Sequence, residues 1–419
     1  MEILTTGEKI RRARIYKGLT LKDICGDMIS VSKLSCIENN KIEAEPEILE
    51  SISEKLGLDY EYLVQDIQYQ IKNNIEELTK TSTDQQYESG IYYNLSYCTE
   101  NAYYDLAFEL VHLLFAYYRK NSRIDKIEEV LSIYFQLNNK SHTSQNIVTY
   151  NGDMGDYFYL NEEYDQAIYY YDNAINILNE NKELSQESIA ILLNNKVKCM
   201  IKLFQYGDIE ESADLLKNYA GFVKNDMNRA DIYKTLVLAK ISQNGETDKG
   251  YEEQIYMLLN DSIEDICEAK LEFAQALFLR KSTEKAMEYI EFGISNYPAK
   301  LKEKKVAFVL NCVNELINNN ILEEAKKICD DALNYAIMLD NINYIEKAYY
   351  FKSTILQKMG DYNSAEMYMN LSVDALMKYG NKKERYLRYM ELGNMYYKLG
   401  QPAESIKYFN IAINVKKKL

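Results

Sequence analysis

Apolar residues recur along this chain at helical spacing from end to end. No sustained period-two alternation occurs, and long spans run without glycine or proline, so an all-α protein is expected. The first sixty-six residues break into five short helices. Thr6 is placed to cap a helix to about Lys17, with Ile10, Ala13 and Ile15 among basic residues and Gly18 as its stop. Thr20 opens a second helix with Asp23 three positions on, close to a capping box, and Leu21, Ile24 and Met28 form its apolar stripe. Ile29 and Ser30 make a turn. Ser30 then caps a third helix through Glu38, with Leu34 and Ile37 inward. Asn39 and Asn40 close it, because asparagine tolerates the left-handed conformation. Pro46 suits the first turn of a fourth helix that Gly57 stops, and Asp59 caps a fifth, Tyr60–Asp66.

Beyond this head, Ile67, Ile71, Ile75 and Leu78 keep helical spacing and predict a linker helix over 67–84. Thr81–Asp84 is a break, and the domain boundary is placed there: a head over 1–66, the linker, and a repeat region over 85–419. The clearest repeat units start at Gly155 and Gly393. Each places a small residue twelve positions on, then an aromatic four later (Ala167 and Tyr171; Ser405 and Phe409). Small residues opening a second helix are expected at 167, 212, 286, 325, 365 and 405, the last three intervals being 39, 40 and 40 residues. The gap between 212 and 286 has room for one degenerate unit around Ser242–Gly250. Eight or nine helix pairs are expected in all.

Composition changes this picture in three ways. Net charge is −15, which argues against nucleic acid, yet residues 7–42 hold eight Lys/Arg and four acids, a net of +4. A small basic patch on an acidic body lets only one end meet phosphate. The seven cysteines are scattered without a Cys-x-x-Cys pair and are expected as reduced, mostly buried thiols. Two histidines, His112 and His142, are too few for a histidine-rich metal site, and neither metal nor cofactor is expected. No glycine-rich phosphate loop, metal-spaced His/Cys cluster or Ser/His/Asp set is present, so no enzymatic activity is expected. The absence of an 18-residue apolar run and of a signal-peptide pattern leads to a cytoplasmic location, with no membrane partner.

Leu19-Thr20, Ser30, Leu34-Ser35, Ile37-Glu38-Asn39, Pro46, Leu49 and Leu56-Gly57-Leu58 resemble the phage-repressor type of helix-turn-helix domain over residues 5–66. The resemblance implies that the third helix enters the major groove of double-stranded promoter DNA, with Ser30, Val31, Ser32 and Cys36 toward the bases. Cys36 stands where relatives carry a long polar or basic side chain, which weakens direct readout. Lys33, Asn39 and Lys41, with Arg11 or Arg12, would hold phosphates. The same resemblance implies an internal ion pair between Arg14 and Glu38, and a homodimer on two-fold related half-sites.

The later units resemble tetratricopeptide repeats, whose usual length is about 34 residues, and imply a right-handed superhelical solenoid with a concave groove. Counting from the small residues, Asn194, Lys198, Glu272, Gln275, Asn311, Asn314, Tyr350, Asn394 and Tyr397 face that groove. Asparagine amides can pair with the N–H and C=O of an extended peptide of any sequence. Together, the two regions resemble the RRNPP family of cytoplasmic peptide-pheromone receptors of Gram-positive bacteria. That resemblance implies a dimeric transcriptional regulator switched by a short signalling peptide in quorum sensing. Two alternatives stay open: a protein-interaction scaffold whose head serves assembly, and a phage or mobile-element regulator of the same architecture.

Overall fold

The computed structural model describes residues 2–26, 29–80, 86–141, 143–181, 185–204, 206–260 and 262–417, with the side chains of 206–208 left aside. Met28, the break at 81–84 and His142 lie outside the described residues. Among those described, the chain is all-α, with no strand: a helix-turn-helix head followed by a helical repeat solenoid. It forms two compact units, Met1–Cys199 and Met200–Leu419.

The head's five helices are α1 (Thr6–Tyr16), α2 (Leu21–Cys25), α3 (Val31–Glu38), α4 (Pro46–Leu56) and α5 (Tyr60–Val64). Local chemistry explains most of their ends. Thr20 and Asp23 form a complete capping box at α2. Ser30 Oγ accepts the Lys33 N–H at α3, and Asn40 adopts the left-handed conformation just after α3. Pro46 opens α4, and Gly57 at φ 55° ends it. At α1 the cap is Thr5, one residue earlier than expected, because Glu8 reaches back to the Thr5 N–H at 2.8 Å and closes a capping box there. Helix α5 stops at Val64 instead of Asp66. Asp66 instead accepts the Tyr69 N–H at 2.7 Å, opening the next helix. Ile10, Ile24, Leu34, Ile37, Ile52, Leu56 and Leu63 make the head's core, and Ile15 faces solvent. Gly7 is required where α1 crosses the end of α3, since a Cβ there would lie 2.2 Å from the Ile37 carbonyl oxygen.

From Ile67 on, helices follow as pairs. The first unit continues with α6 (Ile67–Lys80), α7 (Tyr87–Glu100), α8 (Tyr104–Lys120), α9 (Ile124–Lys140), α10 (Ser144–Leu160), α11 (Tyr164–Glu180) and α12 (Gln186–Lys202), within which the division falls. The expectation of a linker helix is corrected. Ile71, Ile75 and Leu78 are buried in one core with Tyr87, Ile91, Leu110, Leu114 and Phe115, so α6 is the first helix of the first pair. The apolar spacing of a free amphipathic helix and of a packed one is the same; only burial separates them.

The second unit holds α13 (Tyr206–Tyr219), α14 (Asp226–Asn244), α15 (Lys249–Leu258), α16 (Ile263–Leu279), α17 (Thr283–Asn296), α18 (Lys302–Asn318), α19 (Leu322–Met338), α20 (Ile342–Lys358), α21 (Tyr362–Tyr379), α22 (Lys382–Lys398) and α23 (Pro402–Lys416). In chain order α6 to α23 make nine pairs. The small residues Ala167, Ala286, Ala325, Ala365 and Ser405 are buried, each at the fourth position of a second helix. The one at 212 is corrected: helix α13 starts at Tyr206, so its fourth position is Ile209, fully buried, while Ser212 is half-buried. The degenerate unit is α14–α15, where that position holds Glu252. Buried Glu252 accepts hydroxyls from Tyr256 at 2.9 Å and Tyr289 at 2.7 Å and faces Lys270 at 3.5 Å, which is why no small residue appears there. The glycines that begin two units have a shared role. A Cβ on Gly155 would sit 2.4 Å from the Tyr171 ring, and one on Gly393 2.6 Å from the Phe409 ring.

Candidate functional site

The N-terminal turn of α3 is solvent-exposed on the head. Ser32 and Val31 project outward, the latter 37% exposed despite being apolar, and Cys36 one turn on is half-buried. Ser30 is exposed, but its Oγ is engaged as the helix cap at 3.1 Å from the Lys33 nitrogen. The basic residues differ in how free they are. Arg12 pairs with Glu2, and Lys33 pairs with Glu45 at 3.2 Å. Both pairs are exposed, and such pairs are worth at most about 1 kcal/mol, so a phosphate can replace the carboxylate. Asn39 donates its side-chain amide to the Ser35 carbonyl at 2.7 Å, which makes it a C-cap. Arg11 and Lys41 are exposed.

Behind this surface, Arg14 and Glu38 meet in two parallel bonds, Nε to Oε1 at 2.6 Å and Nη2 to Oε2 at 2.8 Å. Arg14 Nη1 adds a bond to the Leu19 carbonyl at 3.1 Å. The hydrogen bond to Glu38 pushes the Arg14 guanidinium above its ordinary value, against the opposing effect of burial. One guanidinium thus ties together α1, the turn after it and the end of α3.

In the second unit, Glu272 and Gln275 of α16 meet Asn311 and Asn314 of α18 around a cavity of about 250 Å³, completed by Glu268, Leu271 and Glu315. Gln275 Nε2 donates to Glu315 at 3.0 Å, and Lys234 reaches Glu272 at 3.0 Å. Burial pushes the Glu315 carboxyl up, opposed by the Gln275 bond. Burial also raises Glu268, opposed by the Tyr297 hydroxyl and reinforced by Glu272, Glu264 and Asp265. The amides of Asn311 and Asn314 and these carboxylates therefore share one concave surface. Counting from the small residues missed Glu268 and Glu315. Their signal was the four-residue spacing, Glu268 to Glu272 and Asn311 to Glu315, which puts each pair on one helix face.

The remaining groove candidates are not gathered there. Asn194, in α12, is only 4% exposed, a correction to its expected place in an open groove. Lys198 lines a separate cavity of about 220 Å³ in the first unit, with Arg119, Asp156, Tyr159, Leu160, Tyr171 and Asn195. Asp156 pairs there with Arg119 and accepts the Tyr171 hydroxyl at 2.7 Å. Tyr350 is occupied by neighbours, its hydroxyl donating to Glu391 at 2.9 Å and its ring lying 3.4 Å beneath the Arg388 guanidinium. Asn394 and Tyr397 on α22 are exposed. Six of the seven cysteines are buried and all are free. Among the described residues no group of three or more His, Cys, Asp or Glu is arranged to hold a metal, and no helix is long and apolar enough to cross a membrane.

Residues 7–68 match the family described as a helix-turn-helix domain. No curated protein matches the chain. Among solved structures, the chain is similar to the apo form of RapI, at 12% identity over 83% of this chain and 98% of that one, with a TM-score of 0.46. It is similar to the apo form of the quorum sensor NprR from B. thuringiensis, at 16% identity over 84% and 100%, with a TM-score of 0.44. A third is PlcR of Bacillus thuringiensis in complex with the peptide PapR7 and DNA, at 13% identity over 89% and 94%, with a TM-score of 0.25.

Proposed function

We propose that this chain is a transcriptional regulator. It binds promoter DNA as a homodimer through α3 and is switched by a short peptide held in the repeat region. The observation that carries the reading is the pairing of two surfaces in one chain. One is the exposed tip of α3, in a domain that matches the helix-turn-helix family and whose residues 7–42 carry a net charge of +4. The other is a polar cavity in which two asparagine amides and the carboxylates of Glu268 and Glu315 face the same space. Serine and valine at the tip of α3 give modest base discrimination, so specificity leans on pairing two heads at a set spacing. In the cavity, Asn311 and Asn314 would take the peptide backbone, and Glu268 and Glu315 would favour a basic side chain on the ligand.

A gel-shift with the DNA upstream of the chain's own reading frame tests the first half. A shift that weakens with salt is expected, and Lys41→Ala or Arg11→Ala should each lower affinity on every sequence and reduce the salt slope by about 1. No shift at low salt from folded dimer would favour the scaffold reading. For the second half, mass spectrometry of small molecules retained by the purified protein identifies the peptide, which is then synthesised. Asn311→Ala with Asn314→Ala should abolish its effect on DNA binding and leave peptide-free DNA binding intact. Loss of both together would assign those asparagines to folding.

A further inference from the structure

The head is joined to α6 by two residues, Gln65 and Asp66. A single short connection would leave the head free to swivel. A second attachment is made by the residues that precede α1. Ile3, 1% exposed, is buried in the core formed by Ile71, Ile75, Tyr87 and Ile91 of α6 and α7. The Ile3 N–H donates to the Tyr93 hydroxyl of α7 at 3.0 Å. Gln70 of α6 holds the next residue on both sides: its Oε1 accepts the Leu4 N–H at 3.0 Å, and its Nε2 donates to the Leu4 carbonyl at 2.9 Å. The same Nε2 lies 3.1 Å from the carbonyls of Gln65 and Asp66, so one buried amide grips both the arm and the connection. Lys9, from the second turn of α1, closes the ring by donating to the Tyr62 and Gln65 carbonyls at 2.8 and 2.7 Å. The arm and the connection, held together by Gln70, restrict the head more than the two-residue connection alone, and Lys9 ties α1 to that same connection.

We propose that residues 2–5 form an internal clasp, positioned by Gln70, that locks the head onto α6 and α7, so that α3 moves with the first helix pair as one body. A displacement of that pair then reaches α3 without being lost at the junction. The clasp rests on contacts within the chain and holds whatever the head binds.

Hydrogen exchange and calorimetry on the full-length chain test it. In the wild type, the Ile3 and Leu4 amides should be as protected as those of α6 and α7, and the head should unfold in one transition with that pair. In Gln70→Ala, exchange of the arm and of the first turn of α1 should rise about tenfold or more while α8 and α9 are unchanged, and the head should leave as a separate, earlier transition. A residue that merely supported α6 would lower the shared transition without splitting it, and that result would overturn the clasp. So would an arm in the wild type that exchanges like free chain, a measurement that needs no variant. Ile3→Ala, which keeps every hydrogen bond but loses the buried side chain, should give the same splitting if Gln70→Ala does not fold.

Discussion

Glu38→Ala is expected to unfold the head while leaving the repeats folded. Removing one partner of a buried charge pair costs about 3–5 kcal/mol, because the other charge stays behind without compensation. Here the orphan would be Arg14, 16% exposed, whose guanidinium also holds the Leu19 carbonyl. A head of some sixty residues has little reserve against that cost, since small domains bury a limited share of their surface and total stabilities run near 5–15 kcal/mol. Hydrogen exchange of the full chain should therefore show α1, α2 and α3 losing protection together while α8 to α11 keep theirs. The proposed promoter binding should vanish even though Glu38, 4% exposed, lies behind the exposed tip of α3. Arg14→Met combined with Glu38→Leu should recover most of the stability, because it removes both charges. An unchanged exchange pattern in Glu38→Ala would mean that the pair contributes nothing net, and Glu38 would no longer count as a brace.

The parts of the head legible in the sequence were those governed by contacts three or four residues apart. The Thr20 capping box, the Ser30 cap, the left-handed Asn40 and the Pro46 start all depend on local backbone chemistry. Thr6 was read as the cap of α1, and the cap lies one residue earlier because Glu8, three positions after Thr5, closes a capping box with it. The reading of α6 failed for a different reason. Periodicity marks an apolar face but not what covers it, and the cover here comes from α7 and α8 and from Ile3, nearly seventy residues away. The repeat phase held wherever a small residue occupied the fourth position. It slipped where Ile209 and Glu252 replaced one, since a larger side chain there is accommodated by repacking that no spacing reveals. Within the candidate site, Glu272, Gln275, Asn311 and Asn314 come together because α16 and α18 keep the same phase. Asn194 does not join them, because helical spacing alone does not separate an inward side chain from a groove-facing one beside it.

Arg388→Ala carries the other large expected effect, in the second unit. The Arg388 guanidinium, 13% exposed, donates to Glu346 at 2.9 Å and to Glu391 at 3.2 Å and lies flat on the Tyr350 ring. Glu346, 8% exposed, also accepts the Ser372 hydroxyl at 2.6 Å and lies beside the Tyr379 hydroxyl. The network therefore links α20, α21 and α22 through a single cation. Removing Arg388 leaves the Glu346 carboxylate buried with only hydroxyls beside it, with an expected loss of about 3–5 kcal/mol. In an array of helix pairs stability is transmitted between neighbours, so the loss should appear first as early unfolding of α20 to α23, not as a uniform shift. Urea unfolding followed by hydrogen exchange should resolve an added first transition at lower urea. Arg388→Lys should recover little, because an ammonium neither stacks on the ring nor reaches both carboxylates in one plane. Lys407→Ala removes an exposed pair with Glu404 three residues earlier in α23 and should leave the unfolding profile nearly unchanged. If Arg388→Ala and Lys407→Ala prove equally mild, the Arg388 network is not what joins the last helix pairs. Tyr350 would then be released from its structural duty and would regain its claim as a ligand-facing residue.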